Sequence, residues 1–431
     1  MPLIIGTPGN DTLNGTATAD QILGEGGNDY ITGRDGDDVL WGADGNDTLY
    51  GQSGNDTLWG DTMSPSVGGN DFLYGGTGQD EMHGGGGDDR LYGDEDQDWL
   101  YGDDGADILV GGTGVDHLYG GIGNDHLEAG ADHDDLSGGD GNDFLIGGSG
   151  SDTLDGGAGR DIVGFDEGGS GSVYVNLTSG AATDAYGYSN TLSGIEDVIG
   201  GQSNDTLIGS SVSNELFGFF GNDVISGGAG DDLLWGDHLW TGSSYQELGA
   251  GGNDVISGGA GYDVMVGGSG VDTADYSTAT AGVDVDLSAG FAYADGDGSQ
   301  DELYEFENLT GSSFNDLLVG NAGSNVLRGG HGDDVFVGLG GNDQIFGGNG
   351  YDEIRVRGAQ ADYTVVAEGA GYRITDSVAG RDGSTYIEEV ESIVFLNLAP
   401  SPLAAPTAPS GPLESAPDTD LSLIQPHDPW G

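Results

Sequence analysis

Between Gly33 and Trp59 the chain reads GRDGDDVLW, GADGNDTLY, GQSGNDTLW: three nine-residue units with Gly first, Gly fourth, Asp sixth and an apolar residue eighth. The residues able to do chemistry here are Gly33, Gly36 and Asp38, then Gly42, Gly45 and Asp47, then Gly51, Gly54 and Asp56. Glycines at the first and fourth positions allow positive φ and leave carbonyl oxygens unshielded, so each first half can turn tightly around a small ligand. An ionised carboxylate beside converging peptide oxygens is an all-oxygen shell suited to a hard cation of Ca2+ size. Mg2+ demands a compact octahedron and keeps its waters, so a roomy shell shared by two turns fits it poorly. The candidate metal ligands continue at Asp11, Asp29, Asp71, Asp80, Asp89, Asp107, Asp116, Asp125, Asp143, Asp152 and Asp161. They resume at Asp205, Asp223, Asp232, Asp254, Asp263 and Asp272, and again at Asp334, Asp343 and Asp352.

These carboxylates must be positioned by the second half of each unit. A triplet such as Val39, Leu40, Trp41 alternates outward, inward, outward, the period-two pattern of a short strand with one side buried. Stacked turn-plus-strand units predict an all-β, parallel β-solenoid in which each repeat touches only its neighbours. From Gly6 to Gly164 there are 17 units, all with Asp at position six and an apolar residue at position eight. Thr18, Asp96 and Asp132 replace the fourth glycine, so their turns are expected to bind weakly or only to shape the stack.

The unit resembles the GGxGxDxUx nonapeptide of the RTX (repeats in toxin) family. That resemblance implies a parallel β-roll with two units per coil, each Ca2+ being held between turn n and turn n+2 on the same edge. It also implies export through a type I secretion channel, guided by an uncleaved C-terminal signal. Blocks of 17, 7 and 5 units would hold at most about 23 ions.

Composition supports metal-driven assembly. Acidic residues number 75 against 8 basic ones, all arginine, for a net charge of −67. Such a field repels nucleic acid and anionic membranes. With 90 glycines, no cysteine and one inward apolar residue per repeat, the core is thin and metal must replace staples. Met1 to Gly6 carries no basic region or long apolar run, so neither a Sec signal nor a membrane span is expected there.

The expected layout is a first repeat block at 1–164 with a loop insertion near 61–68, and a joining or capping β segment at 165–199. A second block follows at 200–275 with an insertion near 237–251 carrying His238, Trp240 and Tyr245, then a second joining segment at 276–310. A third block at 311–356, a C-terminal β cap at 357–398 and a tail at 399–431 complete it. The joining segments are copies: Val173, Val175, Leu177 and Gly180 match Val283, Val285, Leu287 and Gly290, and Ile195 with Glu196 matches Phe306 with Glu307. The tail holds 8 of the 11 prolines, so it reads as disordered and as the place of the secretion signal.

No HExxH, GxSxG or P-loop occurs, so no catalytic residue is assigned. Asp295, Asp297, Ser299 and Asp301 faintly resemble the start of an EF-hand but lack its glycine offset, and read better as a flexible acidic loop. Ninth positions carry Trp41, Trp59, His83, Tyr101 and Tyr119 on alternate units and Tyr50, Tyr74 and Tyr92 between them. These form either cross-strand stacks that shield the sheet or a flat strip for extracellular glycan or a cell surface. The reading that results is a secreted, non-enzymatic calcium-binding roll that folds outside the cell as a structural or adhesive element. The alternatives are a targeting module for a polysaccharide-modifying enzyme and a toxin-related exoprotein.

Overall fold

The computed structural model describes residues 1–61, 68–165, 169–240, 245–247 and 251–396, with backbone alone at 238–240 and 245–247. Most of the loop expected near 61–68, the side chains of His238, Trp240 and Tyr245, and the tail at 399–431 lie outside the described residues. Two compact units divide the chain, Met1–Gly201 and Gln202–Gly431.

In the first unit each strand pairs in parallel with the strand two repeats later. Val39–Asp44 lies between Gln21–Gly26 and Thr57–Trp59, while Tyr30–Asp35 pairs with Thr48–Ser53 in the other sheet. Alternate repeats thus build two parallel sheets, one coil per two repeats. The second unit repeats the pattern, with Val224–Ala229 against Val255–Ala260 and Val335–Val337 against Glu353–Val356. The architecture is the parallel β-solenoid that the nine-residue period predicts. Eighth-position side chains fill it: Leu40, Leu49, Leu91, Leu100 and Leu118 have no solvent exposure, and Leu100 stands in register between Met82 and Leu118.

Two details differ from the expectation. Many strands run six residues, so Val39–Asp44 passes straight through Gly42. The turn's left-handed residues are at positions two and four: Arg34, Ala43 and Gln52 have φ of 89°, 82° and 80°, and Gly36 and Gly45 have 121° and 131°. Gly33, Gly42 and Gly51 do not adopt positive φ. Position one favours glycine for space, with Ala129 the exception in one unit: a Cβ on the equivalent Gly93 would lie 2.5 Å from Asp98 Oδ2 and 2.6 Å from the Gly111 carbonyl oxygen. Asp96 and Asp132, at φ of 77° and 87°, keep the left-handed turn without glycine.

Antiparallel meanders interrupt the roll. Tyr174–Asn176, Ala181–Thr183 and Ser189–Ser193 form one, and Asp284–Asp286, Phe291–Ala294 and Asp301–Tyr304 another. Tyr363–Glu368, Gly371–Asp376 and Ser384–Glu388 form a third. In every case the last strand rejoins the roll in parallel register, placing Leu192 beside Leu154, Leu303 beside Met265 and Ile387 beside Ile345. The C-terminal cap is therefore a third copy of the joining segment. Its spacing repeats theirs: Leu192, Gly194, Glu196, Val198; Leu303, Glu305, Glu307, Leu309; Ile387, Glu389, Glu391, Ile393. Gly194, Glu305 and Glu389 are left-handed at 60°, 60° and 55°.

Candidate metal centres

The sixth-position aspartates stack into rows along the turn edges. Oδ1 of each accepts the backbone N–H of the aspartate one coil earlier. Asp29 accepts from Asp11 at 2.8 Å, and Asp47 from Asp29, Asp71 from Asp47 and Asp89 from Asp71 at 2.7 Å each. That row continues through Asp107, Asp125, Asp143 and Asp161. The opposite edge carries Asp20, Asp38, Asp56, Asp80, Asp98, Asp116, Asp134 and Asp152. In the second unit Asp205, Asp223, Asp254 and Asp272 form one row. Asp232 joins Asp263, and Asp316 joins Asp334 and Asp352. Asp343 accepts from Asn325. Every predicted ligand aspartate except Asp11 is at most 3% exposed.

Asp20, Asp98, Asp134 and Asp316 also belong to these rows and extend the set of candidate ligands. Their turns lack the fourth glycine, yet each carries the sixth-position carboxylate. The rows end on residues that the repeat pattern does not reveal. Glu196, Glu307 and Glu391 accept the N–H groups of Asp161, Asp272 and Asp352 at 3.0, 2.9 and 2.8 Å. The recurring glutamate in the three meander tails was the available signal.

The second carboxylate oxygen is different. Among the described residues, Oδ2 of Asp29, Asp38, Asp47, Asp56, Asp71, Asp80, Asp89, Asp107, Asp116, Asp125, Asp143, Asp152 and Asp161 is buried with no hydrogen-bond partner, as it is in Asp223, Asp254, Asp263, Asp272, Asp334 and Asp352. A buried charge without a partner is costly. Burial pushes the Asp47 and Asp56 carboxyls up to about 7, Asp71 to about 8 and Asp89 to about 9. The N–H bond to each carboxylate opposes this rise, and neighbouring carboxylates add to it.

Peptide oxygens line the same turns. Between the turns at Gly93 and Gly111, the Gly111 carbonyl approaches from one side with Asp98 Oδ2. From the other side, the Asp94 and Asp96 carbonyls point where a Cβ on Gly112 or Gly114 would stand. Carboxylate and carbonyl oxygens alone, in a gap that side chains would fill, fit calcium and not a softer metal. Among the described residues no three His, Asp or Glu side chains converge, so the carbonyls are an integral part of each donor set. Asn325 shows the converse. Its Nδ2 donates to the Glu307 carbonyl at 2.7 Å and to Asn321 Oδ1 at 3.1 Å, placing a side-chain N–H among the oxygens of its turn.

The outward aromatic residues stack face to face. Trp59, His83, Tyr101 and Tyr119 follow at centroid spacings of 3.8, 4.5 and 4.9 Å, with interplanar angles of 6° to 7°. Tyr50, Tyr74 and Tyr92 follow at 4.7 and 5.0 Å in the other sheet. In these stacks ring faces are spent on one another, whereas stacking a sugar needs open faces. The acidic loop at Asp295 is ordered by its own backbone: the carboxylate accepts the N–H groups of Asp297, Gly298 and Ser299, and the residue is 1% exposed. These bonds give the loop a defined turn of its own.

A parallel β-roll carrying rows of oxygen cradles for a hard divalent cation is the class that fold and site define. The chain belongs to the RTX calcium-binding nonapeptide repeat family, whose model matches residues 5–40, 32–62, 66–100, 101–136, 129–163, 137–170, 191–211, 199–234, 248–276, 310–345 and 319–354. Among solved structures, the extracellular lipase LipA from Serratia marcescens is similar at 13% identity and a TM-score of 0.14, over 80% of this chain and 43% of that chain. The chain thus spans under half of the lipase's length, and the likeness carries no functional argument. No curated protein matches the chain. Among the described residues, no helix is long and apolar enough to cross a membrane.

Proposed function

We propose that this calcium-binding β-roll is a secreted, non-enzymatic protein that folds on meeting calcium outside the cell and serves there as a structural or adhesive element. The observation that carries this reading is the set of buried, unpartnered Oδ2 atoms along rows of like charge. Calcium, when bound, supplies the positive charge those rows lack. Strands about 4.8 Å apart hold the carboxylates close, and one buried apolar residue per repeat cannot offset the ordering of nine. Folding and ion binding are then one equilibrium. In calcium-poor cytosol the chain stays extended enough to pass a type I exporter, with the segment at 399–431 as its signal. The stacked rings favour a shielding role for the aromatic residues over a glycan-binding one.

Far-UV circular dichroism of the full chain, in chelator and in millimolar calcium, tests the coupling. At neutral pH, strand signal is expected only with calcium. A chain equally β-rich at neutral pH in chelator overturns the reading.

A further inference from the structure

Each meander carries an aspartate at the end of its second strand: Asp184 and Asp295 just after it and buried, and Asp376 as its last residue, with a covered side chain. In each, Oδ1 accepts the N–H two residues on, from Tyr186, Asp297 and Val378, at 2.9, 2.8 and 2.8 Å. Each donates its own N–H across the turn, to the carbonyls of Tyr188, Ser299 and Gly383. What meets Oδ2 separates them. In the third meander Arg381 forks onto Asp376, Nε to Oδ2 at 2.6 Å and Nη2 to Oδ1 at 2.7 Å. The loops at 185–188 and 296–300 contain no basic residue. Asp184 and Asp295 are 3% and 1% exposed, and among the described residues the Oδ2 of each has no hydrogen-bond partner.

The location gives this difference a meaning. The meanders cover the last turns on their edges, at Asp152, Asp263 and Asp343. Inside the roll, a Cβ on the first glycine of a turn would meet the carbonyl of the next coil. At Gly147, Gly258 and Gly338 the three nearest atoms all belong to the turn's own aspartate, and the strand that follows on that edge is the meander's last. Asp152 and Asp263 nevertheless keep a buried, unpartnered Oδ2, whereas Asp343 Oδ2 receives the Thr385 hydroxyl at 3.4 Å. Asn190 and Asp301 tie the meanders to these ends by accepting the N–H groups of Asp152 and Asp263 at 2.8 and 3.2 Å. Burial first, with Asp184 and Asp295 among the neighbouring charges, raises Asp152 to about 6 and Asp263 to about 8.

We propose that Asp152 with Asp184, and Asp263 with Asp295, each hold one further calcium ion at the end of a repeat block, the meander carboxylate standing in for the missing turn. In the third meander Arg381 pairs with Asp376 instead and supplies a fixed positive charge there. These sites lie outside the pairs of nonapeptide turns and rest on the calcium reading of the roll only in using the same ion.

Native mass spectrometry of the full chain loaded from calcium acetate counts bound ions singly. Asp184→Asn and Asp295→Asn are each expected to bind one ion fewer than wild type, and the double variant two fewer. Arg381→Gln is expected to bind one more. Unchanged counts in both asparagine variants overturn the sites. So does higher metal-free stability at an unchanged count, which identifies a shared proton. If an asparagine variant fails to fold, the Arg381→Gln chain decides, and a wild-type count there overturns the proposal. A wild type that binds no calcium overturns the roll's function as well, so the two failures are distinguishable.

Discussion

Acid should do part of what calcium does. In the metal-free fold, one edge of the first unit holds Asp71 at about 8, Asp89 at about 9, and Asp107, Asp125, Asp143 and Asp161 at about 7, burial being the main cause in each. The same groups in an unfolded chain titrate near 3.9. Folded values raised above unfolded ones mean that the metal-free roll takes up protons on folding. Its stability is greatest below pH of about 4 and is lost as pH rises through about 7 to 9. At a pH of about 5 these six, with Asp47 at about 7 on the same edge, would take up about seven protons, each worth about 1.4 kcal/mol per pH unit across the window. Even a third of that uptake is comparable to the about 5–15 kcal/mol by which ordinary domains are stable. Metal-free protein, stripped on a chelating resin, is therefore expected to gain strand signal in far-UV circular dichroism when moved from a pH of about 8 to about 5. Calcium added at the lower pH should then release several protons in a pH-stat, and at the higher pH almost none. A metal-free chain with the same spectrum at both values, or calcium uptake at acid pH without proton release, refutes the reasoning.

Two further perturbations test other parts of it. Asp143→Asn keeps an oxygen for the Asp125 N–H and offers an N–H to the turn carbonyls, as Asn325 does, so it should raise metal-free stability while lowering the ion count by native mass spectrometry. A lower metal-free melting temperature would contradict it. Leu100→Ala empties a fully buried site, at a cost of about 2.7–5 kcal/mol. Because each coil packs only on its neighbours, hydrogen-exchange protection should fall in Glu81–Gly86 and His117–Ile122 while Leu3–Ile5 is spared. Uniform loss along the first unit would count against that locality.

Much of the architecture was legible in the residues because it is local and repeated. Asp38, Asp47 and Asp56 announce their turns, and Leu40, Leu49 and Leu58 their strands, since turn chemistry and period-two burial act within a few residues. The third meander was not legible as a copy. Its loop from Asp376 to Ile387 is eleven residues, against eight from Asp184 to Leu192 and from Asp295 to Leu303, so a fixed offset misses it. Position-one glycines were also misread, because their constraint is a neighbour from another coil and not their own φ.

From the chain alone come the period, the carboxylate position and the acid excess that demands a cation. Tertiary structure decided which carboxylate oxygen is spent on a backbone N–H and which is left over. It also decided that Glu196, Glu307 and Glu391 end the rows, and that Arg381 answers Asp376 while Asp184 and Asp295 have no such arginine. The reason is that coils are closed by sheet register and not by chain count. Asp47 meets Asp71 24 residues on, Asp223 meets Asp254 31 residues on, and Asp29 meets Asp47 after 18, all with the same bond. Contacts of that kind carry no fixed spacing along the chain and exist only once the strands have stacked.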